Sequence, residues 1–164
     1  MDDHVHPSLK GQRGSGPGPV DPRYGHRSDR PAANNPPVSI VGHGVDIVAV
    51  ERIGRMVAEH GERFLSRVFT AKERAYAQGK ARGAEHLAAR FAAKEAAFKA
   101  LGTGWRDGIA WTDVGVEHDA MGRPMLVVRG RAAEVARARG VARWWVTLSH
   151  TAGTAVASVI AEGA

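Results

Sequence analysis

Apolar residues follow two different periods along this chain, and the switch between them outlines its elements. Val38–Val48 is rich in β-branched residues and bounded by Pro36 and Pro37, which predicts a strand. Val50, Ile53, Met56 and Val57 then recur at helical spacing, with Glu51, Arg52, Arg55 and Glu59 on the opposite face. Thr70 followed by Glu73 is a capping-box pattern, so Ala71–Arg82 is expected to be a helix ended near Gly83. A longer helix is expected over Ala84–Leu101, stopped by Gly102 and Gly104. Leu87, Phe91, Phe98 and Leu101 form its apolar stripe. After that the period shortens. Val114–His118 and Met125–Arg129 flank Asp119–Pro124 as a hairpin, and Arg131–Arg139 is a short helix. Trp144–Ser149 alternates as a strand, His150–Thr154 reads as a turn, and Ala155–Ala161 as a last strand. No internal repeat is visible. The fold class is α+β, with helices in the middle and an antiparallel sheet built from both ends.

Composition sharpens the boundaries. Residues 1–37 hold most of the eight prolines and few large apolar groups, so they are expected to be a disordered extension before a single domain at 38–164. His4, His6 and His26 are too widely spaced there to favour a metal site. The chain has 164 residues and 43% hydrophobic content, ample for one core. No apolar run is long enough to span a membrane, and no signal pattern opens the chain. With no cysteine, disulfides and thiolate metal sites are excluded, which fits a soluble cytoplasmic protein.

The formal net charge is +6. Residues 1–37 carry five Lys/Arg against four Asp/Glu, so the surplus belongs to the remainder. A basic folded surface favours anionic partners: nucleic acid, phosphorylated ligands or an acidic protein.

Three blocks carry candidate chemistry. In Gly42-His-Gly44-Val-Asp46-Ile, Asp46 interrupts an apolar strand. It either caps the next helix or is paired or metal-bound. In Arg90-Phe-Ala-Ala-Lys94-Glu95-Ala-Ala-Phe-Lys99-Ala-Leu-Gly102-Thr103-Gly104, Lys94 and Glu95 fall within or beside the apolar stripe, and Lys99 lies one turn beyond Glu95. A surface Glu–Lys pair belongs opposite that stripe, so Glu95 reads as a buried functional carboxylate. The Gly102–Gly104 end either just stops the helix or also turns free amides toward a phosphate. In Leu148-Ser149-His150-Thr151, adjacent strand residues face opposite ways and no Gly-x-Ser-x-Gly elbow exists, so a nucleophilic triad is disfavoured. A His150 that bonds a ligand or a neighbouring chain is the better reading. Two carboxylates without cysteine call for a hard cation; Mg²⁺ takes one or two carboxylates and completes its shell with water and phosphate oxygens.

Together these blocks, with Phe69-Thr-x-x-Glu73-x-x-Tyr76, resemble the short holo-[acyl-carrier-protein] synthase type of 4′-phosphopantetheinyl transferase, over about residues 40 to 161. The resemblance implies that fold and the transfer of 4′-phosphopantetheine from coenzyme A to a carrier-protein serine, with Mg²⁺ bridging the diphosphate. It implies Asp46 and Glu95 as Mg²⁺ ligands and Lys99 beside the diphosphate, these three being the catalytic set. Arg90, Lys99, Gly102, Thr103, Gly104, His150 and Thr151 would line the coenzyme A pocket. Arg52, Met56, Arg63 and Phe64 would dock an acidic acyl carrier protein. It further implies a homotrimer with active sites between subunits. The base is either Glu95 or a water on the metal. Two features depart from the pattern: the extension before Val38, and His43 where an aliphatic residue is usual. A non-catalytic nucleic-acid binder is the main alternative; it accounts for the charge but not for a carboxylate in an apolar stripe.

Overall fold

The computed structural model describes residues 39–104, 108–151 and 153–164. The expected extension 1–37 lies outside them. The elements are β1 (Ile40–Ala49), α1 (Val50–Val68), α2 (Ala71–Gln78), α3 (Gly83–Leu101), β2 (Val114–His118), β3 (Pro124–Val128), α4 (Gly130–Ala138), β4 (Val141–Thr151) and β5 (Thr154–Gly163). A short 3₁₀ turn, Trp111–Asp113, leads into β2. Two antiparallel sheets result, one in the order β1-β5-β4 and one pairing β2 with β3. The first and last parts of the domain therefore do meet in one sheet, as the alternation predicts.

The central sheet has two unlike faces. On β5, Ala155, Ala157, Val159 and Ala161 point inward and are almost fully buried. On β1 the inward positions are Gly42, Gly44, Asp46 and Val48. These small residues let α3 lie directly on the sheet. A methyl group added at Gly42 would stand 2.0 Å from the Ala100 carbonyl oxygen, and one at Gly44 would stand 2.0 Å from that of Ala96. Glycine at both positions is thus a condition of the contact between β1 and α3.

Helix α3 is not a one-sided amphipathic helix. Ala88, Ala92, Ala93, Ala96 and Ala97 are buried along with the expected Leu87, Phe91, Phe98 and Leu101. It has the sheet on one side and α1, α2 and β2 on others. A helix apolar all round belongs in the interior, and its alanines carry no stripe that periodicity picks out.

Other boundaries moved for local reasons. Helix α1 runs on to Val68, broken inside by Gly61 at φ 51 and ψ −134. Helix α2 stops at Gln78 with Gly79 as its C-cap, and Gly83 opens α3 rather than closing α2. Strand β4 continues to Thr151 and β5 begins at Thr154, so His150 and Thr151 belong to a strand and the turn is shorter than expected. The capping box is present: Thr70 Oγ1 accepts from Glu73 N–H at 3.3 Å and Glu73 Oε2 from Thr70 N–H at 2.8 Å.

The outer sheet face is apolar and open. Ile47 is 66% and Trp145 52% exposed, and Val41 and Val45 share the face. His43 lies among them, with Nε2 3.1 Å from Ser158 Oγ. Among the described residues no helix is long and apolar enough to cross a membrane.

Candidate active site

Packing β1 onto α3 brings Asp46 to the last turns of that helix. Lys99 Nζ donates to Asp46 Oδ1 at 2.7 Å and to the Val45 carbonyl at 2.9 Å. The reading of Asp46 as a helix cap falls away, because α1 begins after Ala49 with no side-chain cap. So does an isolated Glu95–Lys99 helix pair, since Lys99 turns to Asp46 instead. Glu95 is half-buried. Burial, and then the negative charge of Asp46, push its carboxyl above the usual range; Lys99 and Arg52 pull the other way. Two carboxylates close enough to repel, one partly desolvated, make a site that gains from a cation.

Lys94 has a different task. It is fully buried and pairs with buried Glu73 at 2.9 Å. Its ammonium also donates to the carbonyls of Trp111, at 3.2 Å, and Val114. Glu73 in turn accepts from Val116 N–H at 3.0 Å while capping α2. One ion pair thus joins α2, α3 and β2. Lys94 has no reach toward a ligand.

Arg90 lies five residues before Glu95, about 140° away around the helix. It sits among rings: its guanidinium is 4.2 Å from the Tyr76 ring centre, with His118 stacked on Tyr76 at 5.0 Å and His86 edge-on at 5.3 Å. Arg90 Nη1 donates to the His86 carbonyl at 3.2 Å, but its buried Nε has no acceptor. A buried donor without a partner is expensive and marks a place where a ligand oxygen would fit. His150 joins this group: its ring lies 6.1 Å from His86 and its Nδ1 3.2 Å from Glu85 Oε2. Lys72, Tyr76, Arg90, Glu117 and His118 line a cavity of about 180 Å³ here. The expected site residues therefore form two groups on different sides of α3: Asp46, Glu95 and Lys99 on one, Arg90 and His150 on the other.

The Gly102–Gly104 turn does not offer all its amides. Gly102, at φ 64, donates to Lys99 O at 2.9 Å and Thr103 to Phe98 O at 3.3 Å, so both close the helix end. That end is also the negative pole of the helix, which does not attract phosphate.

Met56, Arg63 and Phe64 line one recess of about 510 Å³ with His60, Arg67, Val68, Phe91 and Trp111. Arg52 stands beside it, 5.7 Å from the Phe91 ring centre. The four residues expected to dock a partner thus share one face of α1. Sequence reasoning singled out none of Glu85, His86 or His118. His86 lies one turn before Arg90, a signal that was readable; His118 arrives from β2, which no spacing foretells.

Comparison with known proteins identifies the family. The sequence pattern of the 4′-phosphopantetheinyl transferase superfamily matches residues 42–155. A holo-[acyl-carrier-protein] synthase of Koribacter versatilis is 50% identical over 123 residues, covering 75% of this chain and 98% of that protein. The solved holo-[acyl-carrier-protein] synthase of Neisseria meningitidis is 35% identical with a TM-score of 0.69, over 75% of this chain and 98% of that one. The Bacillus anthracis enzyme, solved in complex with CoA (3′,5′-ADP), is 35% identical with a TM-score of 0.63, over 76% of this chain and 98% of that one. With motif order, fold and sequence identity in agreement, the chain belongs to the 4′-phosphopantetheinyl transferase superfamily, as a relative of its holo-[acyl-carrier-protein] synthases.

Proposed function

We propose that this chain moves 4′-phosphopantetheine from coenzyme A to a serine of an acyl carrier protein, converting apo to holo carrier. The observation that carries the reading is the Asp46–Lys99–Glu95 group, assembled by the Gly42-x-Gly44 contact with α3. In the reaction the serine oxygen bonds to the β-phosphorus of coenzyme A. The bond from that phosphorus to the bridging oxygen breaks, adenosine 3′,5′-bisphosphate leaves, and the serine proton passes to Glu95 or to water.

Asp46 and Glu95 would hold Mg²⁺. Two oxygen donors fit a hard cation, and among the described residues no third Asp, Glu or His completes a cage, so water and phosphate oxygens would fill the other positions. When bound, the ion supplies charge neutralisation along the diphosphate. Lys99, whose ammonium lies beside Asp46, would hold the leaving phosphate's charge. Arg90, with its unfilled Nε, and His150 with Thr151 would bind the other end of coenzyme A. The Gly102-Thr103-Gly104 turn would border it beyond Lys99.

Because the two groups face different sides of α3, one coenzyme A molecule is best served by two copies of the chain. A homotrimer joined through the open apolar sheet face would provide that. Arg52, Met56, Arg63 and Phe64 would receive the acidic carrier protein, leaving nucleic acid without a role. The transferase unit is residues 38–164, residues 1–37 are an added extension, and the site of action is the cytoplasm.

The test is the mass of an apo carrier protein after incubation with this chain, coenzyme A and Mg²⁺. A gain of one phosphopantetheine is expected. Asp46→Ala and Glu95→Ala should abolish it while the melting temperature holds, because each removes a charged metal ligand. Near-normal turnover in both folded variants would overturn the site.

A further inference from the structure

Glu85 opens α3 in the midst of cations. Its Oε2 lies 3.2 Å from His150 Nδ1 and 3.7 Å from Arg82 Nη1. Yet this oxygen is buried and accepts no well-aligned hydrogen bond. A buried, unfilled carboxylate oxygen is costly unless a partner completes it. The His150 ring is the partner at hand: at 3.2 Å a small rotation brings Nδ1–H into line. Site hydrogen bonds are often loose before substrate arrives and tighten with it.

Fixing Nδ1 settles what the rest of the ring does. The two ring nitrogens lie on opposite sides, so an Nδ1 held by Glu85 turns Nε2 away from α3. A ring that donates from Nδ1 leaves Nε2 as the nitrogen free to meet a ligand. The surroundings favour that division of labour. Arg82, His86 and Arg90 flank the pair from α3 and its N-terminal end, Lys80 from just before it, and His118 from β2 across Tyr76. His86 is held below its ordinary value, mainly by burial and then by Arg90. Across the same cluster, Arg90 presents its unfilled Nε.

We infer that Glu85 is a positioning residue for coenzyme A: it anchors His150 through Nδ1–H so that Nε2 is turned toward the substrate. This rests on the reading above that His150 faces coenzyme A. Glu85 itself touches no substrate; it acts through the ring.

The test uses the full chain and three readouts. The first is the ¹⁵N spectrum of the His150 ring at alkaline pH without substrate. The neutral ring should carry its proton on Nδ1 in the wild type and shift toward Nε2 in Glu85→Gln. The second is steady-state kinetics. Loosening one charge-assisted hydrogen bond worth about 1.5 kcal/mol predicts a rise of about tenfold in the coenzyme A KM, with kcat and the carrier KM nearly unchanged. The third is the double variant. Glu85→Gln added to His150→Gln should cost nothing further, because both act through one ring. An unmoved tautomer, an unchanged KM, or full additivity would each overturn the inference. If Glu85→Gln does not fold, Glu85→Asp, which keeps the charge but shortens the reach, is read the same way. A wild-type chain that transfers nothing in the mass assay would sink the transferase reading, while the tautomer, which needs no substrate, still judges the pair.

Discussion

At the scale of single residues, the chain separates charges proposed to handle substrate from charges that hold the fold, although they are neighbours in sequence. Lys94 and Glu95 are neighbours, but one is sealed inside on Glu73 and the other looks toward Asp46. Arg52 falls between two roles. It stands by the α1 recess, and its charge also reaches Glu95. Reversing it in Arg52→Glu should set like charges against an acidic carrier. We expect the carrier KM to rise about tenfold or more and its salt dependence to weaken, since complementary charge governs encounter. The coenzyme A KM should change far less. Kinetics with each substrate varied in turn decides: if the coenzyme A constant worsens while the carrier constant holds, Arg52 belongs to the diphosphate site. A second expectation concerns pH. His86 takes up a proton less readily in the folded chain than at its ordinary value of 6.5, because of burial first and Arg90 second. Below that value the unfolded chain binds more protons than the folded one, so stability should be full above it and fall as pH drops through it. Urea unfolding at pH 7.5 and 5.5 measures this, and His86→Phe should flatten the difference. A variant as pH-sensitive as the parent would assign the effect elsewhere.

At the scale of elements, what the sequence made legible was whatever rests on local chemistry. The Thr70–Glu73 capping box, the Gly102 stop and the β2–β3 hairpin all appear where turn and cap residues put them. What escaped was tertiary. The alanines of α3 look neutral in a periodicity count, yet they are buried because glycine and alanine strands press on them. Gly79 cut α2 short, although Ala81 and Arg82 are good helix formers. Asp46, Glu95 and Lys99 were found as candidates, but their meeting depends on Gly42 and Gly44, whose role is invisible without α3. This gives a test of the element contact. In Gly44→Ala the added methyl would meet the Ala96 carbonyl oxygen at 2.0 Å, and backbone on both sides must part. Overpacking of this kind costs about 1–3 kcal/mol or more. The variant should melt lower and lose transfer beyond the loss of folded protein, because Asp46 is carried away from Glu95. Thermal unfolding alongside activity per folded molecule checks it; unchanged values of both would mean that β1 does not constrain the site.

At the scale of the whole molecule, the proposed site residues of one chain fall into two groups on different sides of α3. Asp46, Glu95 and Lys99 look one way from α3, Arg90 and His150 another. The same chain leaves an apolar sheet face bare, with Ile47 and Trp145 both more than half exposed. Exposed apolar surface of this sort is a common mark of an interface. The two facts point to a shared remedy, in which copies meet through the sheet and each lends one group to its neighbour's site. Ile47→Asp tests this directly. Ile47 points away from α3 on β1, so a carboxylate there should not disturb the monomer's core, but it would be buried without a partner at an interface. Light scattering should report a trimer for the parent and a monomer for the variant. Transfer should fall with the trimer even though Asp46, Glu95 and Lys99 are untouched. Mixing Ile47→Asp with an excess of Asp46→Ala chains should not restore activity, since the block is to assembly rather than to either half of the site. A fully active monomer, from parent or variant, would show that a single chain gathers both groups by itself and that the open face serves another purpose.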